Sequence, residues 1–224
     1  MRLTTSQLVV HGLLRHALRL IAMMFFRFRV FGIGNYPKED GFLVCCNHQS
    51  HLDPVLVGLC LPRSVATVGR ATLTKFKLFG DMLRFFNLIA IDRDRGGASG
   101  LKETIRQLRE QHTVVIFPEG TRTRDGELQP MKMGFAMLAR KVKAPILPMA
   151  LDGSYHAMPR SSWLIRPAKI YVVIGKPILE SEYGSMNDEE LGRLLTMRIG
   201  QCFAEARRRR NGEASHSPDL AGLR

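Results

Sequence analysis

Acidic residues are absent from the first 38 positions of this 224-residue sequence. The same stretch carries basic side chains at Arg2, Arg15, Arg19, Arg27, Arg29 and Lys38. Over the whole chain the formal net charge is +13, which favours polyanionic partners such as an anionic membrane surface, nucleic acid or an acidic carrier. Net charge alone does not choose among these three classes.

Long hydrophobic runs are also absent from the N-terminal segment. Its longest clean run, Leu20–Phe26, is far shorter than the roughly 20 apolar residues that a membrane-spanning helix requires. A secretory signal peptide needs an unbroken apolar centre and a small-residue cleavage site, and the segment has neither in clear form. The sequence therefore predicts that residues 1–33 neither span a membrane nor form a cleaved leader.

Cysteine is sparse, and several motifs that carry chemistry are missing. The four cysteines form no CxxC pair, and Cys45 and Cys46 lie in an apolar run, which predicts buried thiols in a reducing compartment. The sequence has no GxSxG nucleophile motif, no helix-turn-helix, zinc-finger or aromatic RNA-binding signature, and no internal repeat. The residue pattern gives no reason to expect a metal ion.

Short apolar runs alternate with helical patterns along the rest of the chain. Strands are predicted at 42–46, 64–69, 113–117, 144–151 and 168–175. Helices are predicted from Asp53, from Gly100 to Gln111 behind a Ser99 cap, at 134–142, and from an Asn187–Glu190 capping box to about Arg210. This alternation predicts an α/β fold with a mixed, mostly parallel sheet covered by helices.

Two interpretations of the N-terminal helix remain open. His11, Arg15 and Arg19 recur every fourth residue and so share one face of a helix, while aliphatic side chains fill the rest. The helix either packs on the domain or lies in the headgroup region of an anionic membrane, which suits the basic face better. We therefore divide the chain into an amphipathic membrane-associating segment (1–33), a main α/β domain (34–210) and a disordered tail (211–224).

The segment CCNHQSHLDP (45–54) places two histidines and an aspartate directly after a predicted buried strand. On one continuous helix His48 and Asp53 would point roughly 140° apart, so they meet only if His48 is in a loop and Asp53 starts the next helix. His48 is then a candidate general base oriented by Asp53, unless Asp53 serves only as a helix N-cap. His51 is predicted to lie behind the site or on the surface.

A second polar cluster follows the predicted strand at 113–117. Glu119, Gly120, Thr121 and Arg122 leave this strand together, and Arg93 follows another apolar run. Glycine lets a backbone approach an anion closely, and the arginine fork matches the geometry of a phosphate. The cluster therefore predicts phosphate binding, although an arginine taken alone is more often a solvated surface charge.

Four blocks of this sequence, taken in order, resemble the glycerolipid acyltransferase family typified by the 1-acylglycerol-3-phosphate acyltransferases. They are NHQSHLD (47–53, an H-x4-D motif), NLIAIDR (87–93), FPEGTR (117–122) and APILPM (144–149), and the resemblance covers about residues 40–175. The first and third blocks together are highly specific, whereas the second and fourth are weak alone. The second block departs from the family at Asn87 and Ala90, and the fourth begins with Ala144 instead of a branched residue.

The resemblance implies a function for the 34–210 domain. It would move a fatty acyl group from an acyl thioester, either acyl-CoA or acyl carrier protein, to the free hydroxyl of a lysophospholipid, first of all 1-acyl-sn-glycerol-3-phosphate. His48 and Asp53 would be catalytic, and substrate would be bound by Arg93, Glu119, Gly120, Thr121 and Arg122. We expect no metal and no resident cofactor, and attachment to the cytoplasmic face of an anionic membrane as a peripheral or monotopic protein.

The residues leave other interpretations open. The acceptor could be another lysophospholipid or a lyso-aminolipid, and Cys46, two residues before His48, could be a nucleophile. A net charge of +13 and RRRR at 207–210 would also suit a nucleic-acid-binding protein. A lipid-binding protein without activity is a further alternative. We rank the last three interpretations lower. Cys46 is predicted to be buried, no nucleic-acid motif is present, and His48, Asp53 and Glu119 of an active enzyme are all in place.

Overall fold

The computed structural model describes residues 5–37, 41–61, 65–70, 88–91 and 98–213. Along the chain the elements are α1 (Thr5–Phe26), β1 (Arg29–Phe31), a 3-10 helix (Ile33–Asn35), β2 (Leu43–Cys46), α2 (Asp53–Cys60), β3 (Val65–Arg70), β4 (Leu88–Ile91), α3 (Ala98–Arg109), β5 (Thr113–Ile116), α4 (Gly134–Val142), β6 (Ile146–Asp152), α5 (Ser154–Ala157), β7 (Tyr171–Ile174), α6 (Glu180–Tyr183) and α7 (Asp188–Asn211). The predicted alternation of strands and helices is confirmed.

The seven strands found in the described ranges form one sheet in the order β1-β7-β6-β2-β5-β3-β4. Neighbouring strands are parallel except β6 and β7, which are antiparallel. The predicted mixed, mostly parallel sheet is therefore confirmed. Because β2 to β6 all run in the same direction, the loops that follow them leave from one edge of the sheet, where α/β folds build their sites.

Helices cover both faces of the sheet. Val44 and Cys46 of β2 face a hydrophobic cluster that α1, α2 and α5 complete. Leu43 and Cys45 face the opposite cluster, which α3, α4, α6 and α7 complete. Successive strand residues point to opposite faces, so a strand covered on both sides has to be apolar throughout. This is why β2 is a continuous apolar run in the sequence.

Two details differ from the prediction. The strand β1 was not expected, yet residues 29–31 pair with β7, so part of the predicted 1–33 segment belongs to the sheet. The helix α3 begins at Ala98, so Ser99 lies inside its first turn instead of capping it. Serine is tolerated there because the first turn has no intrahelical acceptors for its N–H groups. The predicted disordered tail lies outside the described residues from position 214 onward.

Candidate active site

The loop that carries His48 leaves β2 in a fixed direction. Beyond the last residue of β2, the Asn47 side chain continues the pairing with β6: its amide nitrogen donates to the Leu151 carbonyl, and its oxygen accepts from the Leu151 N–H, both at 2.9 Å. Asn47 is buried, so these hydrogen bonds are protected from water. The next residue, His48, therefore emerges at the carboxyl edge of the sheet.

His48 and Asp53 meet as the sequence analysis required. Asp53 is the first residue of α2, and its Oδ2 lies 2.8 Å from His48 Nδ1. The N-cap position belongs to Leu52, and no side chain caps this helix, so the alternative that Asp53 is only an N-cap is wrong. The Asp53 carboxylate is instead directed back into the loop that precedes α2.

Four donors surround the Asp53 carboxylate, which is fully buried. Its Oδ2 accepts hydrogen bonds from the N–H groups of Gln49 and Ser50 at 2.6 Å as well as from His48, and its Oδ1 accepts from Ser154 Oγ at 2.6 Å. Because the carboxylate only accepts, Nδ1 of His48 carries the proton. The lone pair of Nε2 is left to act as a base.

The imidazole of His48 is also held by packing. It stacks on Phe117 with ring centroids 4.2 Å apart and an interplanar angle of 20°. The Thr123 N–H donates to the His48 carbonyl at 2.8 Å, which ties the two polar loops together. The side chain keeps 17% of its surface exposed. A base fixed on two sides and open on a third is suited to receive a substrate hydroxyl.

Ser154 and Gln49 support the dyad, and neither was predicted from the sequence as a site residue. Gln49 Nε2 donates to the Gly126 carbonyl at 2.6 Å, while its Oε1 lies 3.3 Å from Ser154 Oγ. Ser154 follows Gly153, where φ is +105° and a Cβ would lie 2.0 Å from the Lys169 carbonyl oxygen. Only glycine fits this turn. The Asp-Gly-Ser sequence at the end of β6 was the available signal.

The FPEGTR loop (117–122) makes a tight turn beside this network. Gly120 has φ +71° and donates its N–H to the Phe117 carbonyl at 2.9 Å. The side chain of Lys132 crosses the glycine, and a Cβ on Gly120 would lie 3.1 Å from Lys132 Nζ. Thr121 is exposed, and its hydroxyl accepts from Arg160 at 3.3 Å. Lys132 and Arg160 thus add two positive charges that the sequence analysis did not identify.

Arg122 is positioned by His51. The guanidinium Nη1 contacts Nε2 of His51, and the His51 ring stacks on Trp163 with centroids 4.3 Å apart. Burial, and then the charges of Arg122 and His48, lower the pKa of His51 to about 4. His51 is therefore neutral near pH 7 and accepts a hydrogen bond from Arg122. It is a buried residue behind the site and not a surface residue.

Glu119 points into the protein. It is 3% exposed, its Oε1 accepts from the His48 N–H at 3.3 Å, and its Oε2 is buried with no hydrogen-bond partner among the described residues. Burial, the largest cause, raises the pKa of Glu119 to about 8. In this geometry Glu119 links the FPEGTR loop to the backbone of the histidine loop.

The raised pKa of Glu119 makes stability depend on pH. The pKa of Glu119 in the folded protein lies above its unfolded value. Its contribution to stability is therefore fully present below about pH 4.5 and is lost as the pH rises through about 8. We expect Glu119→Gln to flatten the fall in melting temperature between pH 5 and 8, and to be roughly 1–3 kcal/mol more stable than wild type at the upper end. Thermal unfolding at a series of pH values measures this, with exposed Glu213→Gln as the matched control. If the melting temperature of Glu119→Gln fell with pH as steeply as that of wild type, Glu119 would not have the raised pKa.

Arg93 lies outside the described residues, and β4 ends two positions before it at Ile91. Its predicted role stays a prediction. Across the residues that the structure does describe, no group of three or more His, Cys, Asp or Glu side chains could hold a metal ion.

The cysteine alternative does not fit the structure. All four cysteines are free and buried. Burial, and then the nearby charge of Asp53, raise the pKa of the Cys46 thiol well above its ordinary value. A nucleophilic cysteine needs the opposite environment, which is exposed and stabilises the thiolate. His48 therefore has no thiol partner to activate at this position.

The chain is similar to known acyltransferases. A family profile described as Acyltransferase matches residues 27–152, which is more than half of the chain. A 1-acyl-sn-glycerol-3-phosphate acyltransferase from Bacillus subtilis is 28% identical over 191 residues, covering 85% of this chain and 93% of the relative. An enzyme of the same name from Cocos nucifera is 34% identical over 141 residues, covering 62% of this chain and 46% of the relative.

A solved structure is also similar. The crystal structure of the 1-acyl-sn-glycerophosphate (LPA) acyltransferase PlsC from Thermotoga maritima superposes with a TM-score of 0.75 at 26% identity. The match covers 92% of this chain and 84% of the other. The likeness therefore extends over nearly the whole chain, beyond the four sequence blocks.

Proposed function

Because the chain belongs to the acyltransferase family and is an enzyme of the 1-acylglycerol-3-phosphate acyltransferase type, we propose that it acylates the free hydroxyl of 1-acyl-sn-glycerol-3-phosphate with an acyl thioester. The observation that carries the proposal is the 2.8 Å contact between His48 and Asp53, in a loop that also touches Arg122 through His51. A base and an arginine fork at one edge match the hydroxyl and the phosphate of a single acceptor molecule.

The proposed chemistry is a direct transfer. Nε2 of His48 takes the proton of the acceptor hydroxyl while that oxygen attacks the thioester carbonyl carbon, and the carbon–sulfur bond then breaks. The resulting imidazolium, stabilised by Asp53, gives its proton to the departing thiolate, so an ester and a free thiol are formed. The acyl group is never attached to the protein, in agreement with the burial of the cysteines.

We assign the acceptor's phosphate to the FPEGTR loop. Arg122 offers the planar fork, and its contact with His51 fixes its direction. Lys132 over Gly120 and Arg160 against Thr121 bring further positive charge to the same loop. Gly120, Thr121 and Arg93 complete the proposed set. Glu119 acts by holding the loop against the His48 backbone.

The acyl donor in this proposal is acyl-CoA or acyl carrier protein. Both present the acyl group as a thioester, which the chemistry requires, and both carry acidic or phosphate groups that suit a chain of net charge +13. Assays with each donor in turn identify the one that the enzyme uses.

The helix α1 supports attachment to a membrane surface. Ala22 and Phe26 are buried against the domain, so the helix is packed on it. Away from these contacts the helix exposes apolar residues: Leu13, Leu14, Leu20, Ile21, Met23, Met24 and Phe25. We propose that this apolar side lies in the headgroup region of an anionic leaflet, which joins the two interpretations of the helix. Among the described helices, none combines the length and hydropathy needed to cross a bilayer.

An acceptor panel on purified protein tests the proposed function. Release of free thiol is measured with acyl-CoA and with acylated acyl carrier protein as donors. The acceptors are lysophosphatidate, lysophosphatidylcholine, monoacylglycerol and a lyso-aminolipid. We expect lysophosphatidate to give a kcat/KM at least about tenfold above that of monoacylglycerol, because only lysophosphatidate offers a free phosphate to Arg122. Faster transfer to a phosphate-free acceptor would overturn the choice of acceptor but not the family.

A further inference from the structure

The loop between α5 and β7 exposes three consecutive apolar side chains. Trp163, Leu164 and Ile165 are 51%, 62% and 46% exposed, respectively. Single exposed apolar residues are common on protein surfaces, whereas a contiguous group marks a contact surface. We call residues 159–169 the WLI loop.

The WLI loop is attached to the end of α1. The Ile170 N–H, which follows the loop, donates to the Phe26 carbonyl at 3.0 Å, and the Arg29 N–H donates to the Ile170 carbonyl at 3.1 Å. The other end is closed by a 2.9 Å bond from the Arg166 N–H to the Ala157 carbonyl. The exposed apolar residues Met23–Phe25 lie within one turn of Phe26. Backbone hydrogen bonds therefore connect the C-terminal end of α1 to the C-terminal end of the WLI loop.

The same loop reaches the candidate phosphate site. Trp163 stacks on His51, which contacts Arg122, and Arg160 donates to the Thr121 hydroxyl. One face of the Trp163 ring is thus fixed by the site, while about half of the side chain stays exposed. Whatever contacts the exposed part of the loop is brought next to the residues that we assign to the acceptor.

Charge identifies the kind of partner. No acidic residue occurs between Asp152 and Glu180, and the WLI loop carries Arg160, Arg166 and Lys169, all exposed. A tryptophan and two aliphatic residues flanked by basic side chains match the interface of an anionic bilayer, where indole rings and arginines lie at headgroup level.

We propose that Trp163–Ile165 inserts into the headgroup region of an anionic bilayer, as a second membrane contact besides α1. The two contacts hold the His48 edge against the leaflet, so a lysolipid reaches the base without leaving the membrane. Arg166 and Lys169 contact lipid phosphates there. This inference rests on the proposed function, because only a lipid substrate requires the site to lie at a bilayer.

A double substitution in the full chain tests the inference. L164S/I165S removes the exposed apolar pair and leaves Trp163 on His51, and L179S/M197S, with exposures of 47% and 49%, is the matched control elsewhere on the surface. Co-sedimentation uses phosphatidylcholine vesicles with and without phosphatidylglycerol. Activity is measured on a short-chain soluble lysophosphatidate and on a long-chain lysophosphatidate embedded in vesicles.

We expect L164S/I165S to bind the anionic vesicles about tenfold more weakly and to lose activity on the embedded acceptor in proportion. The control should bind like wild type, and both variants should match wild type on the soluble acceptor. Unchanged vesicle binding by L164S/I165S overturns the inference. A loss confined to acyl carrier protein as donor also overturns it, in favour of a protein-docking loop. If the wild-type protein acylates none of the lysolipids, the proposed function is wrong. Vesicle binding by L164S/I165S then still shows whether the loop contacts the membrane.

Discussion

His48→Ala is expected to lower the rate of acyl transfer about 10²–10⁴-fold without unfolding the protein, because it removes the proposed general base. The ring lies in a loop, partly exposed and stacked on Phe117, and its removal leaves the core clusters intact. Turnover from acyl-CoA to lysophosphatidate measures the loss, and circular dichroism with a thermal melt checks the fold. Exposed His112→Ala is the matched control and should retain full activity.

Asp53→Asn should differ from His48→Ala because it affects stability as well as activity. Asp53→Asn places an amide group against donors from Gln49, Ser50 and Ser154 in a fully buried position. We therefore expect both lost activity and lower stability, since buried donors are left unsatisfied. Near-wild-type turnover by a folded His48→Ala protein would show that another group is the base.

Arg122→Lys is expected to lower kcat/KM for lysophosphatidate about 10- to 100-fold, although the charge is kept. A lysine cannot form the two-pronged contact with phosphate, and it cannot reproduce the contact between the guanidinium and His51. A hydrogen bond to a charged group contributes roughly 1.5–3 kcal/mol, which corresponds to this range. Steady-state kinetics at varied acceptor and varied donor separate the two substrates, and KM for the donor should be unchanged.

Arg124→Lys provides the matched control for this experiment, since Arg124 is an exposed arginine two positions after Arg122. It should behave as wild type with both substrates. A phosphate-free acceptor such as monoacylglycerol gives a further comparison, because Arg122→Lys should then cost little. An equal loss with monoacylglycerol would mean that Arg122 has a role other than binding the phosphate.

Most of the sheet and the dyad could be predicted because they depend on local sequence. The buried strands β2, β5 and β6 are short apolar runs bounded by polar residues, and β7 has β-branched character. The capping box is equally local: Asn187 Oδ1 accepts from the Glu190 N–H at 2.9 Å, and the reciprocal bond is 2.8 Å. The contact between His48 and Asp53 was predicted because a strand ends before His48 and a helix begins at Asp53.

Other parts of the site depend on contacts between distant segments and carry little local signal. Ser154 lies 101 positions from Asp53, and the pairing of β2 with β6 brings the two together. The strand β1 has three residues and is defined by its pairing with β7. The orientation of α1 also depends on packing: Arg15, which shares a helix face with His11 and Arg19, is partly buried, and burial lowers its pKa. Helical periodicity shows which residues share a face, but packing decides where that face points.

Direct transfer assisted by His48 is the central claim, and one single-turnover measurement tests it. Enzyme in excess over an acyl thioester is mixed with and without lysophosphatidate, and thiol release and acyl transfer are followed together. We expect thiol to appear only when the acceptor is present, in step with phosphatidate, and to slow by the same factor in His48→Ala as in steady state. Stoichiometric thiol release without acceptor, with the acyl group bound to the protein, would contradict the mechanism.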